Sequence, residues 1–253
     1  MRLKDSNVLV TGGSSGIGFA IVKSFLEEGA NVAFTYRSED SLNRPYVQQL
    51  LAKFKNTIAI QADFLKNIDA TTLLDDAAER LAGPINVLVN NAAAFSRLKL
   101  IETSVEIFQD ILNVNLIVPF MLISSFSQKL IACGKPGSII NISSLSATLA
   151  RSQMTAYQCS KAGLEMLSTS VAYELARHNI RSNIIAPGLT ETAANEAQRI
   201  NQPQIWAERS SAIPLGRTGQ PNDYIGAAIY LASAESLWVT GAKIIIDGGM
   251  STF

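Results

Sequence analysis

"NVLVTGGSSGIGFAIVKSFLEEG", residues 7–29, decides how this chain is read. An apolar, β-branched run stops at Thr11. Gly12, Gly16 and Gly18 follow at fixed offsets, and an amphipathic pattern then continues to Glu28. The first run reads as a parallel strand buried on both faces, and the last as a helix with one apolar stripe. Glycines between the two can take positive φ and let another backbone approach closely. The helix points its unpaired N–H groups and positive dipole end at that loop, which makes an anion site. No lysine follows the last glycine, which disfavours a P-loop. The anion expected is a dinucleotide pyrophosphate, cradled by Gly12, Ser14, Ser15, Gly16, Ile17 and Gly18. An ordinary βα turn is the alternative for the motif taken alone.

The same rhythm continues along the chain. Strand-like runs occupy residues 7–11, 31–36, 57–62, 85–90, 138–143, 180–185 and 242–247. Helical patterns fill Ile17–Glu28, Ser41–Lys55, Ala70–Leu81, Val105–Ala132, Gln153–His178 and Asn222–Ala232. Strand–helix alternation predicts an α/β fold: a doubly wound, parallel, seven-stranded sheet with helices on both faces. No linker, charge block or repeat interrupts it, so residues 1–253 are read as one domain. Glu191–Pro214 departs from the rhythm. It is polar, partly helix-prone and follows a strand directly, as substrate lids often do.

Composition narrows the function classes. Apolar residues make up 47% of the 253, enough for a large core. Lys+Arg and Asp+Glu balance at 21 each, which leaves no footprint for nucleic acid. Cys133 and Cys159 form no CxxC pair, and no metal site is expected. The N-terminus is too short and polar before its first strand for a signal peptide. The apolar stretch 111–126 carries two Asn, a Pro and several Ser, and reads as a buried helix. A cytoplasmic protein without a membrane span is expected.

The second strand closes with "AFTYRSED". A carboxylate at this strand end would bond a ribose 2′-OH. Here Tyr36 takes that position, and Arg37 and Ser38 follow. A guanidinium suits a 2′-phosphate, although Glu39 and Asp40 come shortly after. The expectation is NADP(H), with NAD(H) as a second possibility.

"YQCSK" sets Tyr157 and Lys161 on one face of a helix, four residues apart. A cation beside a phenol favours the phenolate and lowers its pKa, as proton exchange near neutrality requires. "SIINISS" is a buried strand ending at Ser143 and Ser144, thirteen residues before Tyr157. Strand carboxyl ends are where doubly wound folds bind ligands. A serine there can donate to a carbonyl oxygen as it gains charge. Ser143 is expected to face the other way.

The glycine spacing with its leading Thr, the serine, the YxxxK pair and the closing "VTGAKIIIDGGM" resemble the short-chain dehydrogenase/reductase family over nearly the whole chain. The resemblance implies a single Rossmann-type domain and a fourth catalytic residue, Asn115, that interrupts a helix and holds a water serving Lys161. It implies that Asp63, with Phe64 beside it, bonds the adenine. "NNAAAF" resembles the family's NNAG, which places Asn90 and Ala92 along the adenosine, with Ala93 where the family has Gly. "APGLTET" resembles its PG motif, so Pro187 and Gly188, with Thr190 or Thr192, would hold the nicotinamide. A homotetramer is implied as well.

The expected activity is hydride transfer between NADP(H) and a carbonyl or secondary alcohol of a small-molecule substrate. Two neighbouring groups are resembled: 3-oxoacyl-carrier-protein reductases and glucose 1-dehydrogenases, the latter through "TYRSED". Lys129, Lys135, Arg177 and Arg181 are the few basic residues offered to an acidic carrier protein. Arg97, Arg151, Gln153 and Met154 fall in the stretches that would set specificity. A non-catalytic NADP(H) sensor on the same fold is the reading from a different class.

Overall fold

The computed structural model describes residues 1–252. Seven strands form one sheet: β1 (Asn7–Val10), β2 (Asn31–Tyr36), β3 (Thr57–Gln61), β4 (Val87–Asn90), β5 (Gly137–Ile142), β6 (Ile180–Pro187) and β7 (Lys243–Ile246). Their order is β3-β2-β1-β4-β5-β6-β7 and every pairing is parallel. In the centre, Val8 lies opposite Val32 on one side and Val87 on the other. Val8 and Val10 pack on one face with Ile21, Phe25 and Ile229; Leu9 packs on the other with Leu74, Leu122 and Phe126. This alternation along β1 is the side-chain period of an extended strand. Each face must then be covered, which is why the strand runs read as continuously apolar.

The covering helices are α1 (Gly16–Glu27), α4 (Ala70–Arg80), α6 (Val118–Ala132), α7 (Thr155–Leu175) and α10 (Ile225–Ala232). Four expected helices differ from their patterns, the one expected over Asn222–Ala232 opening with a 3-10 turn at Pro221–Tyr224 before α10. Residues 41–55 divide into α2 (Glu39–Leu42) and α3 (Pro45–Lys53), because Pro45 cannot continue a helix but starts one well. Residues 105–132 are α5 (Val105–Leu112), a π-helical turn at Asn113–Ile117, and α6. The helix expected from Gln153 begins at Thr155, after Gln153 takes φ 64°. Strand β4 starts at Val87 rather than residue 85, where Asn86 instead receives the Asn7 N–H on its side-chain oxygen.

Residues 105–132 are long and apolar enough, by length and composition, to cross a membrane. Leu122, Ile123, Phe126 and Leu130 are nevertheless buried against the sheet. Residues 191–214 hold two short helices, α8 (Glu196–Asn201) and α9 (Pro203–Ser211), at the carboxyl end of β6. The strand order reverses between β1 and β4, which opens a crevice above the carboxyl ends of the strands.

Candidate active site

A cleft of about 1570 Å³ occupies this crevice and runs from the β2 end to the α8–α9 segment. Its floor is the glycine loop. Gly12 has φ +65°, and a Cβ there would stand 3.0 Å from the Ala92 Cα. Thr35 Oγ1 accepts the Gly12 N–H at 2.9 Å, which fixes the loop to β2. Ser15 caps α1 in extended conformation and makes no side-chain cap bond. The first N–H groups of α1 therefore remain available to an anion at the cleft floor.

Of the residues expected at a cofactor, the cleft is lined by Gly12, Ser14, Ser15, Gly16, Ile17, Arg37, Ser38, Asp63, Phe64, Ala92, Tyr157, Lys161, Pro187, Gly188, Thr190 and Thr192. Two others lie outside the lining. A Cβ on Gly18 would meet the Asn91 Nδ2 at 2.3 Å and the Gly12 carbonyl at 2.4 Å. Gly18 thus makes room for a side chain behind the loop. Asn90 is 3% exposed and donates to Asn141 Oδ1 at 2.9 Å within the sheet. The next residue, Asn91, is the one on the cleft side. Its amide donates to the Thr11 and Gly12 carbonyls at 2.9 and 3.1 Å. Thr11 Oγ1 in turn accepts the Asn91 and Ala92 N–H groups. Thr11 and Asn91 therefore clamp the glycine loop to the end of β4. The two-residue period of the strand was the signal that separates Asn91 from Asn90.

Arg44 and Tyr46, also not singled out from sequence, complete the other end. Arg44 donates to the Tyr46 hydroxyl at 3.0 Å, and that hydroxyl donates to the Ser14 carbonyl at 3.2 Å. Arg37, Ser38, Ser41 and Arg44 together line the cleft beyond β2. Asp63 accepts the Leu65 N–H at 3.2 Å, as a turn residue does, while still lining the cleft. Asn113 donates to the Phe64 carbonyl at 2.9 Å and so holds the same turn.

At the opposite end, Ser144 and Tyr157 both line the cleft. Ser143 turns away and donates to Glu165 Oε1 at 2.8 Å. Lys161 is 2% exposed, and its Nζ lies 5.7 Å from the Tyr157 ring centroid. The expected lowering of the tyrosine by this lysine is not found in the free protein. Burial pushes the Tyr157 phenol up, and the Ser144 hydroxyl only partly counters it. The ammonium instead donates to the Ile142 carbonyl at 2.7 Å. Burial also brings Lys161 down to about 8, against a smaller opposing effect of Glu165.

Asn115 sits in the π-helical turn and is fully buried, outside the cleft lining. Its amide donates to the Ala94 carbonyl and to Ser160 Oγ, both at 2.9 Å, and its oxygen accepts the Ala94 N–H at 2.7 Å. Both side-chain donors are thus spent on protein partners. Thr190 donates to the Gly188 carbonyl at 3.0 Å and shares a hydrogen bond with the buried Tyr224 hydroxyl. A threonine has one donor, so Thr190 fixes the loop, and Thr192 is the residue left to face a ligand. Among the described residues no group of His, Cys, Asp and Glu could hold a metal ion.

Comparison with known proteins identifies this architecture. A family model described as enoyl-(acyl carrier protein) reductase matches residues 12–251. The 3β-hydroxysteroid dehydrogenase 1 of Eggerthella lenta is 36% identical over 251 residues, covering 99% of this chain and 95% of the relative. A short-chain type dehydrogenase/reductase from Mycobacterium marinum superposes with a TM-score of 0.90 at 32% identity, over 99% of this chain and 97% of that one. A gluconate 5-dehydrogenase from Burkholderia cenocepacia, solved with NADP and tartrate, gives 0.90 at 30% identity, over 100% and 97%. On these matches the chain belongs to the short-chain dehydrogenase/reductases, a family of NAD(P)-dependent oxidoreductases.

Proposed function

We propose that this protein interconverts a carbonyl and a secondary alcohol on an oxygen-rich small molecule, with NADP(H) as its cofactor. The observation that carries the reading is that Ser144 and Tyr157 line one cleft beside a buried Lys161, the same cleft as the uncapped start of α1. Bound NADP(H) supplies or accepts the hydride. The uncapped first turn of α1 fits its pyrophosphate, and Arg37, Ser38 and Arg44 fit a 2′-phosphate. Asp63 and Phe64 belong to the adenine end, Ala92 to the adenosine, and Pro187, Gly188 and Thr192 to the nicotinamide end.

Ser144 and Tyr157 both direct hydroxyls at a substrate oxygen, and a donor there stabilises the charge that builds on it. Tyr157 passes the proton to and from that oxygen. Lys161, charged below about 8, is the cation that favours the phenolate once substrate and cofactor exclude water. Asn115 fixes the wall beside them and supports proton resupply through Lys161. The α8–α9 segment acts as a lid.

The lid presents Gln198, Asn201 and Gln202 to the cleft, while the Asn195 amide is taken up by Thr190 and Thr192. Such amides suit hydroxyl groups and offer little to a fatty chain, which favours a sugar or polyol over a 3-oxoacyl thioester. Two of the four basic residues considered for a carrier protein are also engaged elsewhere. Lys129 pairs with Asp75 at 2.5 Å, and Arg181 is 8% exposed and donates to the Leu231 and Val239 carbonyls. Val105, Ile117, Phe120, Met166 and Tyr173 leave apolar surface on α5, the π turn, α6 and α7. That surface supports a homotetramer.

The test is turnover of NADP⁺ or NADPH against a panel of polyols, sugars, their ketones and a short 3-oxoacyl thioester. Tyr157→Phe should remove all but about a thousandth of the rate and leave NADPH binding intact. Wild-type turnover by that variant would sink the mechanism. Tight NADPH binding with no turnover by the intact protein would favour a sensor.

A further inference from the structure

We infer that the substrate of this cleft carries an anionic group, a carboxylate or a phosphate, received by Arg97, Arg151 and Arg209. The inference rests on the functional reading above and names the substrate class within it.

The three arginines arrive from three different loops. Arg97 follows β4, Arg151 follows β5, and Arg209 lies on α9 after β6. All three line the substrate end of the cleft. Arg97 lies close to the chemistry. The Phe95 ring meets the Tyr157 ring edge-on at 5.2 Å, and the Arg97 guanidinium stacks over the Phe95 ring at 5.6 Å. Arg97 therefore sits one aromatic ring away from the proton-transferring hydroxyl's own ring.

None of the three forms an ion pair among the described residues. The partner of Arg151 is the Met250 sulfur at 3.9 Å, a weak acceptor without charge. Arg97 has only the face of Phe95. The acids that line the cleft, Asp40 and Asp63, are at its adenine end. The nearby lid carboxylate Glu191 is already taken by Arg199 at 2.7 Å.

Arg97 and Arg151 are exposed and Arg209 is half-buried, so solvent screens part of their repulsion. Partial burial, and then the charges of Arg209 and Arg151, still pull Arg97 below the usual guanidinium range. The chain has as many acidic as basic residues, 21 of each, so the cluster does not follow from a basic composition. Like charges brought together without a counter-charge cost free energy. An oxyanion between them removes that cost and can take paired N–H donors from a planar guanidinium. A neutral sugar offers no such compensation.

The test uses tartrate and its neutral reduced counterpart threitol, titrated by calorimetry into the protein saturated with NADP⁺. Saturation keeps the probe from the pyrophosphate and 2′-phosphate positions. Tartrate is expected to bind in the millimolar range or tighter and threitol at least about tenfold more weakly. Arg97→Gln, Arg151→Gln and Arg209→Gln should each weaken tartrate about tenfold or more, the factor carried by a charge-assisted hydrogen bond. Their NADP⁺ affinity should stay unchanged, which shows that they fold. Glucose 6-phosphate, D-gluconate and D-glucose, run as substrates, then separate phosphate from carboxylate. Equal binding of tartrate and threitol, no tartrate binding, or indifference of all three variants overturns the inference. Failure of the intact protein to bind NADP⁺ would instead overturn the functional reading beneath it.

Discussion

Asn115 holds Ala94 by both of its backbone polar groups, accepting the N–H at 2.7 Å and donating to the carbonyl at 2.9 Å. The π-helical turn aims this side chain at the loop that carries Phe95 and Arg97. Asn115→Ala leaves those two groups without their partner in a buried setting. Each unpaired buried group costs about 1–3 kcal/mol, so a stability loss of about 2–4 kcal/mol is expected in urea denaturation. Turnover should fall too, because the Phe95 wall beside Tyr157 loosens. A loss under about 1 kcal/mol would mean that water replaces the clasp without cost.

Lys161 gives a pH signature of its own. Burial holds it at about 8, below its ordinary 10.5. Between those two values the unfolded chain binds more protons at this site than the folded one. Stability from this group therefore rises with pH across that window, and the burial cost is fully present below about 8. Lys161→Met abolishes the term. The difference in unfolding free energy between variant and wild type should favour the variant more at pH 7 than at pH 10. A difference independent of pH would show that the lysine titrates normally in the folded protein.

Gly18→Ala tests the clamp behind the glycine loop. The new methyl would stand 2.3 Å from the Asn91 amide nitrogen and 2.4 Å from the Gly12 carbonyl. Asn91 must then leave the Thr11 and Gly12 carbonyls it now bonds. NADPH affinity should fall about tenfold or more, the worth of one or two lost hydrogen bonds, although Gly18 does not line the cleft. Unchanged affinity by fluorescence titration would show that the clamp is dispensable.

Much of this architecture was legible because its signals are local. The seven strands and the glycine loop follow from residue spacing alone, whereas reading residues 41–55 as one helix misses the division at Pro45, a backbone rule. The other misplacements come from packing. Asn90 and Asn91 differ only in which side of β4 they face. Tyr157 is raised rather than lowered because burial outweighs its neighbours, which a helical spacing cannot reveal. The roles of Arg44 and Arg209 depend on α3 and α9 folding back over the cleft. No motif in the sequence marks either.

Cofactor choice is decided at the end of β2. Glu39 follows the strand closely enough to bond a ribose, but the Tyr36 hydroxyl already donates to it at 3.3 Å. Arg37, Ser38, Ser41 and Arg44 line the cleft there, together with one acid, Asp40. Arg44 is steered toward the glycine loop through Tyr46 and the Ser14 carbonyl. A 2′-phosphate would add a charge-assisted hydrogen bond from each guanidinium. Arg37→Ala and Arg44→Ala should each lower kcat/KM for NADPH about tenfold or more. Values for NADH should stay within about twofold, since that cofactor has no phosphate to lose. Asp40→Asn should shift the ratio the opposite way, because it removes a charge that repels the phosphate. Equal losses for both cofactors would place these arginines at the pyrophosphate or in the fold, and not at the 2′ position.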